Sequence, residues 1–169
     1  MIYLQPFFPF IIFIVVFFAI FYVTNRKRRK VLRNLSNQLN GSISNIIFCP
    51  TLNCEYQGLR FFITLIPPGK SSPPYLKISL IKDSSFKLMI YKEGFFSHLG
   101  EKLRIIHKIK TNDESFDRDF LVFSNNPAQA AIYFNNENMK NTIKELFNNG
   151  FYHLLANGKR IIIQKPDYI

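Results

Sequence analysis

Cysteine is scarce in this chain: Cys49 and Cys54 are the only two in 169 residues. A structural zinc site takes about four ligands, usually from two such pairs. His98, His107 and His153 lie in unrelated sequence contexts and do not complete a set. Metal binding is therefore not expected, and a structural disulfide is not expected in a reducing compartment. The two cysteines read as small, half-buried residues flanking four residues of turn-like composition. Acidic residues are also few, 11 against 22 Lys and Arg, for a formal net charge of +11. Such an excess raises nucleic-acid binding as a class. Six of the basic residues, however, fall between Arg26 and Arg33, and from Asn40 onward the balance is 16 basic to 11 acidic. Nucleic acid is thus not the expected partner.

A complete phosphate loop is missing too. Gly69-Lys70-Ser71 follows an apolar run, but Thr64 stands where that motif needs its first glycine. Pro67-Pro68 and Pro73-Pro74 oppose the helix that should begin at the lysine. The segment reads as a stiff exposed loop, at most a docking segment. No nucleophile–base pair stands out, so no catalytic residue and no cofactor is assigned.

Charge is absent from the first 25 residues. Ile2 to Val23 is rich in Phe and Ile, and as a helix it would be about 33 Å long, the thickness of a hydrocarbon core. Residues 1–23 are expected to form a transmembrane helix, 24–39 a basic juxtamembrane amphipathic helix, and 40–169 one globular domain. A cleaved signal peptide fits less well, since there is no basic n-region and no A-x-A-like site. The positive-inside rule then places the N-terminus outside and the domain in the cytoplasm, on a single-pass protein of the inner (plasma) membrane. Arg26, Lys27, Arg28, Arg29, Lys30 and Arg33 would meet anionic headgroups, each worth about 1 kcal/mol.

Beyond Asn40-Gly41, a glycine-capped helix end, the pattern turns to strands. Ser42 to Phe48 and Leu59 to Ile66 are the first two. Tyr75 to Lys82 and Phe86 to Tyr91 alternate apolar and polar residues around Asp83-Ser84-Ser85, which predicts an antiparallel hairpin. Leu103 to Ile109 alternates likewise. Asn126-Pro127 predicts a helix start to about Phe134. A second helix from Asn136-Glu137 carries Met139, Ile143, Leu146 and Phe147 on one stripe, with Lys140, Asn141, Lys144 and Glu145 facing out. Asn157-Gly158 predicts a two-residue hairpin turn that pairs Leu155 with Arg160 and Leu154 with Ile161.

The most distinctive polar segment is Thr111 to Phe120, with Asp113, Asp117, Arg118 and Asp119. Asp117 and Asp119 share a face if the following strand starts early, and paired carboxylates can do acid–base work or hold a divalent ion. No further ligand is close in sequence, so turn capping and an ion pair with Arg118 are the expected roles.

The order Ile109-Lys110-Thr111-Asn112-Asp113, Phe116-Asp117, Phe120, Val122 and Ser124, then Asn126-Pro127-Ala128, an amphipathic helix and a terminal hairpin resembles a group of proteins. They are uncharacterised bacterial single-pass membrane-anchored proteins, and the resemblance lies mainly over residues 109–165. It implies a domain of unknown function and supplies no catalytic residue. The expectation is an α+β domain: a mainly antiparallel sheet of about six to eight strands with C-terminal helices on one face and a final β-hairpin. The expected function is a membrane-anchored, non-enzymatic binding or scaffolding module, an accessory part of a membrane-associated complex with a protein partner. The rivals are a membrane-tethered hydrolase or metal-dependent enzyme using Asp113, Asp117 and Asp119, and an anionic-lipid-sensing domain using Lys77, Lys87, Arg104, Lys108 and Lys110.

Overall fold

The computed structural model describes residues 8–44, 49–70, 72–83, 86–93 and 107–166. The chain separates into two compact units, Met1–Cys54 and Glu55–Ile169. It is α+β, with four described helices and a sheet of nine described strands whose recorded pairings are antiparallel.

In the first unit α1 runs from Phe8 to Leu39 as one 32-residue helix. The expected transmembrane helix is overturned: among the described residues no helix is long and apolar enough to cross a membrane. The apolar run does not end as an element of its own. It continues without a break through the basic stretch, so the helix expected over 24–39 is the second half of α1. Asn25 and Arg28 are buried there with Leu32. The helix ends on Asn40, which takes the left-handed conformation (φ 49°) expected of Gly41. The Gly41 N–H then bonds the Ser36 carbonyl at 3.1 Å, closing the last turn. Glycine at 41 serves close approach instead, since a Cβ there would lie 2.6 Å from Cys54 Sγ and 2.7 Å from the Asn53 carbonyl oxygen. Strand β1 (Ser42–Ser44) pairs with β2 (Thr51–Tyr56), Ile43 opposite Leu52. The remainder of the strand predicted to Phe48 lies outside the described residues. The turn expected between the cysteines is strand from Thr51 on. Cys54 is buried, both thiols are free, and burial pushes the Cys54 thiol up.

The second unit opens on Gln57 and Gly58, both at positive φ (51° and 75°), the conformation of a tight I′ turn. The elements that follow are β3 (Leu59–Ile66), β4 (Tyr75–Ile81), β5 (Lys87–Lys92), β6 (His107–Ile109), α2 (Glu114–Asp119), β7 (Phe120–Ser124), α3 (Pro127–Phe134), α4 (Glu137–Asn148), β8 (His153–Asn157) and β9 (Arg160–Pro166). Residues 103–106 of the strand predicted before Ile109 lie outside the described residues. The strand order is β3-β4-β9-β8-β5-β7-β6. The predicted β4–β5 hairpin is therefore corrected: the β8–β9 hairpin stands between those strands. A tight turn closes β8–β9 locally, and both of its strands carry aliphatic residues on successive positions, which suits a central place with two covered faces.

The turn of that hairpin is Gly158-Lys159, with Ala156 opposite Ile161 and Leu155 opposite Ile162. Asn157 stays in the strand because its side-chain oxygen accepts the Arg160 N–H at 3.1 Å, and Gly158 takes φ 89°. The pairing thus differs by two residues from the predicted one, which keeps every side chain on its predicted face.

Pairing places Ile63, Ile78, Ile163, Leu154, Ile90, Val122 and Ile109 in one row across all seven strands. Toward β5, β7 and β6 this row is buried with Phe116, Phe120, Ala130, Phe134, Ile143 and Phe147 from α2, β7, α3 and α4. On the opposite face Tyr91, Leu121 and Phe123 are buried, with Met89 packed against them.

Candidate functional site

The carboxylates of the polar segment are each engaged separately. Asp113 is the N-cap of α2: it accepts from the Phe116 N–H at 3.0 Å, the Ser115 hydroxyl at 2.7 Å and the Lys140 ammonium at 3.2 Å. The Ser115 hydroxyl foremost, then the Phe116 N–H and Lys140, hold its carboxyl well below the usual carboxylate range. Asp117 accepts the Thr111 N–H at 3.0 Å and the Thr111 hydroxyl at 2.8 Å. Asp119 is exposed and accepts from Arg118 Nε at 3.4 Å. The shared face expected of Asp117 and Asp119 is corrected. The segment is helical, and two residues of α-helix turn the chain by about 200°. Asp119 lines a hollow of about 500 Å³ with Lys92, Glu93 and Arg118, and neither Asp113 nor Asp117 reaches it. Among the described residues no group of three His, Cys, Asp or Glu side chains could hold a metal ion.

Lys140 was expected to face solvent. It is buried, at 5% exposure, and ties α4 to Asp113 of the α2 cap while also bonding Glu137 at 2.5 Å. Its Asp113 partner lies 27 residues away, beyond the reach of a local pattern. On α1, Arg26, Lys27, Arg29, Lys30 and Arg33 are exposed, whereas Arg28 is buried, one guanidinium nitrogen having no partner among the described residues. Of the basic sheet residues, Lys77, Lys87 and Lys108 lie on the face away from the helices, and Arg104 is outside the described residues.

On that face His153 stacks on Tyr91 with centroids 4.5 Å apart and rings 8° from parallel. Gln164 Oε1 accepts the Tyr152 hydroxyl at 2.9 Å and lies 3.0 Å from His153 Nδ1, which assigns the proton to Nδ1. Among the described residues Nε2 is buried without a partner. Burial lowers the His153 pKa, partly offset by Gln164. Below its ordinary value of 6.5 the unfolded chain takes up a proton before the folded one does, so stability is full above that value and falls as pH falls. Thermal melts from about pH 7.5 to about pH 5 should show the wild type losing more stability than His153→Gln. Parallel curves would contradict the buried neutral imidazole.

The helix side of the sheet also holds an apolar groove. Seven strands about 4.8 Å apart span about 29 Å, and two helices about 10 Å wide cover about 20 Å. By that measure β3 and β4 lie beyond the cover and β9 at its edge, although Ile63 and Leu65 on the same face of β3 are buried. Tyr56, Leu59, Phe61, Ile78, Leu80, Ile161 and Ile163 there line an open groove of about 250 Å³ that is almost wholly apolar. Tyr56 and Leu59 are 66% and 45% exposed at its rim. Ile161 also lines the adjoining cavity of about 460 Å³ between sheet and helices, with Leu88, Leu154, Ala156, Met139 and Ile143. The signal for this groove was in the sequence as the alternation of Leu76, Ile78 and Leu80, which reads the same for a covered face as for an open one.

No family model matches the chain, and neither a curated protein nor a solved structure matches it.

Proposed function

We propose that the chain is a non-enzymatic binding module, an accessory component of a larger assembly, and that its docking element is the apolar groove over β3, β4 and β9. The observation that carries this is the groove itself: contiguous apolar side chains on a regular sheet, at the edge of the helix layer, with exposed Tyr56 and Leu59 at the rim. Contiguous exposed apolar surface of this kind marks interaction sites. The polar segment that supported an enzyme is engaged in capping α2, in fixing Thr111 and in a surface pair. The exposed cations of α1 supply a second surface, suited to anionic headgroups.

The test is affinity purification of the tagged full chain from its native host, comparing wild type, Leu59→Asp and Lys77→Asp. Leu59 lies in the groove, and Lys77 lies on the other face. The expected result is a stoichiometric companion kept by wild type and Lys77→Asp and lost by Leu59→Asp. Retention by Leu59→Asp, or a wild type that purifies alone, would contradict the proposal.

A further inference from the structure

We infer that the groove takes a long-chain aliphatic carboxylate, one acyl chain lying across the strands with its anionic head at the β8–β9 hairpin. The inference rests on the groove being the docking element and names what it holds.

The shape of the site suits a single flexible chain. Phe61, Leu80, Ile161 and Ala156 are neighbours in register on β3, β4, β9 and β8. Three strand spacings make this track about 14 Å long. At Ile161 it passes into the cavity of about 460 Å³ between the sheet and α4. An acyl chain can follow the floor from the open groove into that cavity. A partner helix about 10 Å wide can rest on the open part but cannot enter beneath α4. The lining is aliphatic over most of its length, with a few charged groups at one mouth, as ligand sites of this size generally are.

The charge at that mouth sets the head group. Lys82 and Asp83 line the cavity. The Lys82 N–H donates to the Lys159 carbonyl at 3.2 Å, which extends the β4–β9 pairing and sets the two lysines opposite each other. Alternation places both on the groove side, one step beyond Leu80 and Ile161. Arg160, opposite Ile81, falls on the other face by the same alternation and takes no part. Lys82 and Lys159 make no ion pair with a described residue, and Asp83 is the acid beside them. A carboxylate held between Lys82 and Lys159 would gain charge-assisted hydrogen bonds while its tail stays on the aliphatic floor.

The full chain is titrated with a dansylated undecanoic acid, and the probe is displaced with saturated monocarboxylates from octanoate to hexadecanoate below their micelle concentrations. The displacement constant should fall about fourfold per added methylene until the track is filled, and then level off. Alkylammonium ions of equal length should compete at least tenfold more weakly. Lys82→Glu should weaken carboxylates severalfold, and Leu59→Asp, at a 45% exposed position, should abolish saturable binding. Equal competition by alkylammonium ions would overturn the head-group assignment, and saturable binding unchanged by Leu59→Asp would overturn the site. If no carboxylate displaces the probe while Leu59→Asp still loses its companion from the host, the acyl ligand fails and the docking groove stands. If Leu59→Asp changes neither, both fail.

Discussion

Phe116→Ala should lower the unfolding free energy of the second unit by about 3–5 kcal/mol, the range for emptying a buried aromatic site. Phe116 is fully buried, with its ring 4.7 Å from Phe120 and 5.6 Å from Phe134, and the Lys144 ammonium 5.8 Å above it. It is also the only buried residue of the six-residue helix α2. A helix that short is not stable alone, and that ring is its one apolar anchor beside the polar ties of Asp113 and Asp117. Losing the ring would loosen the Asp113 cap and, through Lys140, the tie to α4. Urea denaturation of the full chain measures this. A cost below about 1 kcal/mol would mean that α2 is held by something other than Phe116.

Asp117→Ala should cost about 1–3 kcal/mol, and Asp119→Ala should stay within about 0.5 kcal/mol of wild type. The difference follows from what each carboxylate touches. Thr111 is 4% exposed, and both its N–H and its hydroxyl donate to Asp117, so alanine there leaves two buried donors without an acceptor. Asp119 stands in solvent beside Arg118. Catalytic carboxylates commonly show the reverse, since a site tuned for chemistry is strained and gains stability when the group is removed. Paired thermal melts of the two variants decide the matter. A stabilising Asp117→Ala would reopen the enzyme reading.

Much of the second unit was legible because its signals are local. Asn126 and Asn136 cap α3 and α4 as their sequence positions predict, and alternation located β3 and β4 to within a residue. The features that were not legible depend on partners distant in sequence or on side-chain bonds. Strands β4 and β5 are joined by a short connection, yet they are separated by a hairpin from the end of the chain, and no local pattern records that insertion. The turn at 157–160 moved by one position because of a single bond from Asn157. Helix α2 reads as a turn in the sequence because its cap, Asp113, and its anchor, Phe116, sit among polar residues. Lys140 lies on what reads as the wet side of α4, and only the fold brings Asp113 to it. The apolar N-terminal run has the length and the flanking charge of a span, but from Phe8 on it belongs to a helix that continues for a further sixteen residues beyond Val23, to Leu39. The groove was hidden for a different reason. Alternation reports which residues share a face, and the reach of the helices decides whether that face is covered.

The most direct test of the docking groove is photo-crosslinking in the native host from two adjacent positions. A photoreactive residue is placed at Leu59, in the groove, or at Arg60, which points to the other face and lies beside Glu55. The account predicts adducts from position 59 and none from position 60, with the mass of the adduct telling acyl chain from protein. Adducts from position 60 alone, or equal adducts from both, would contradict it.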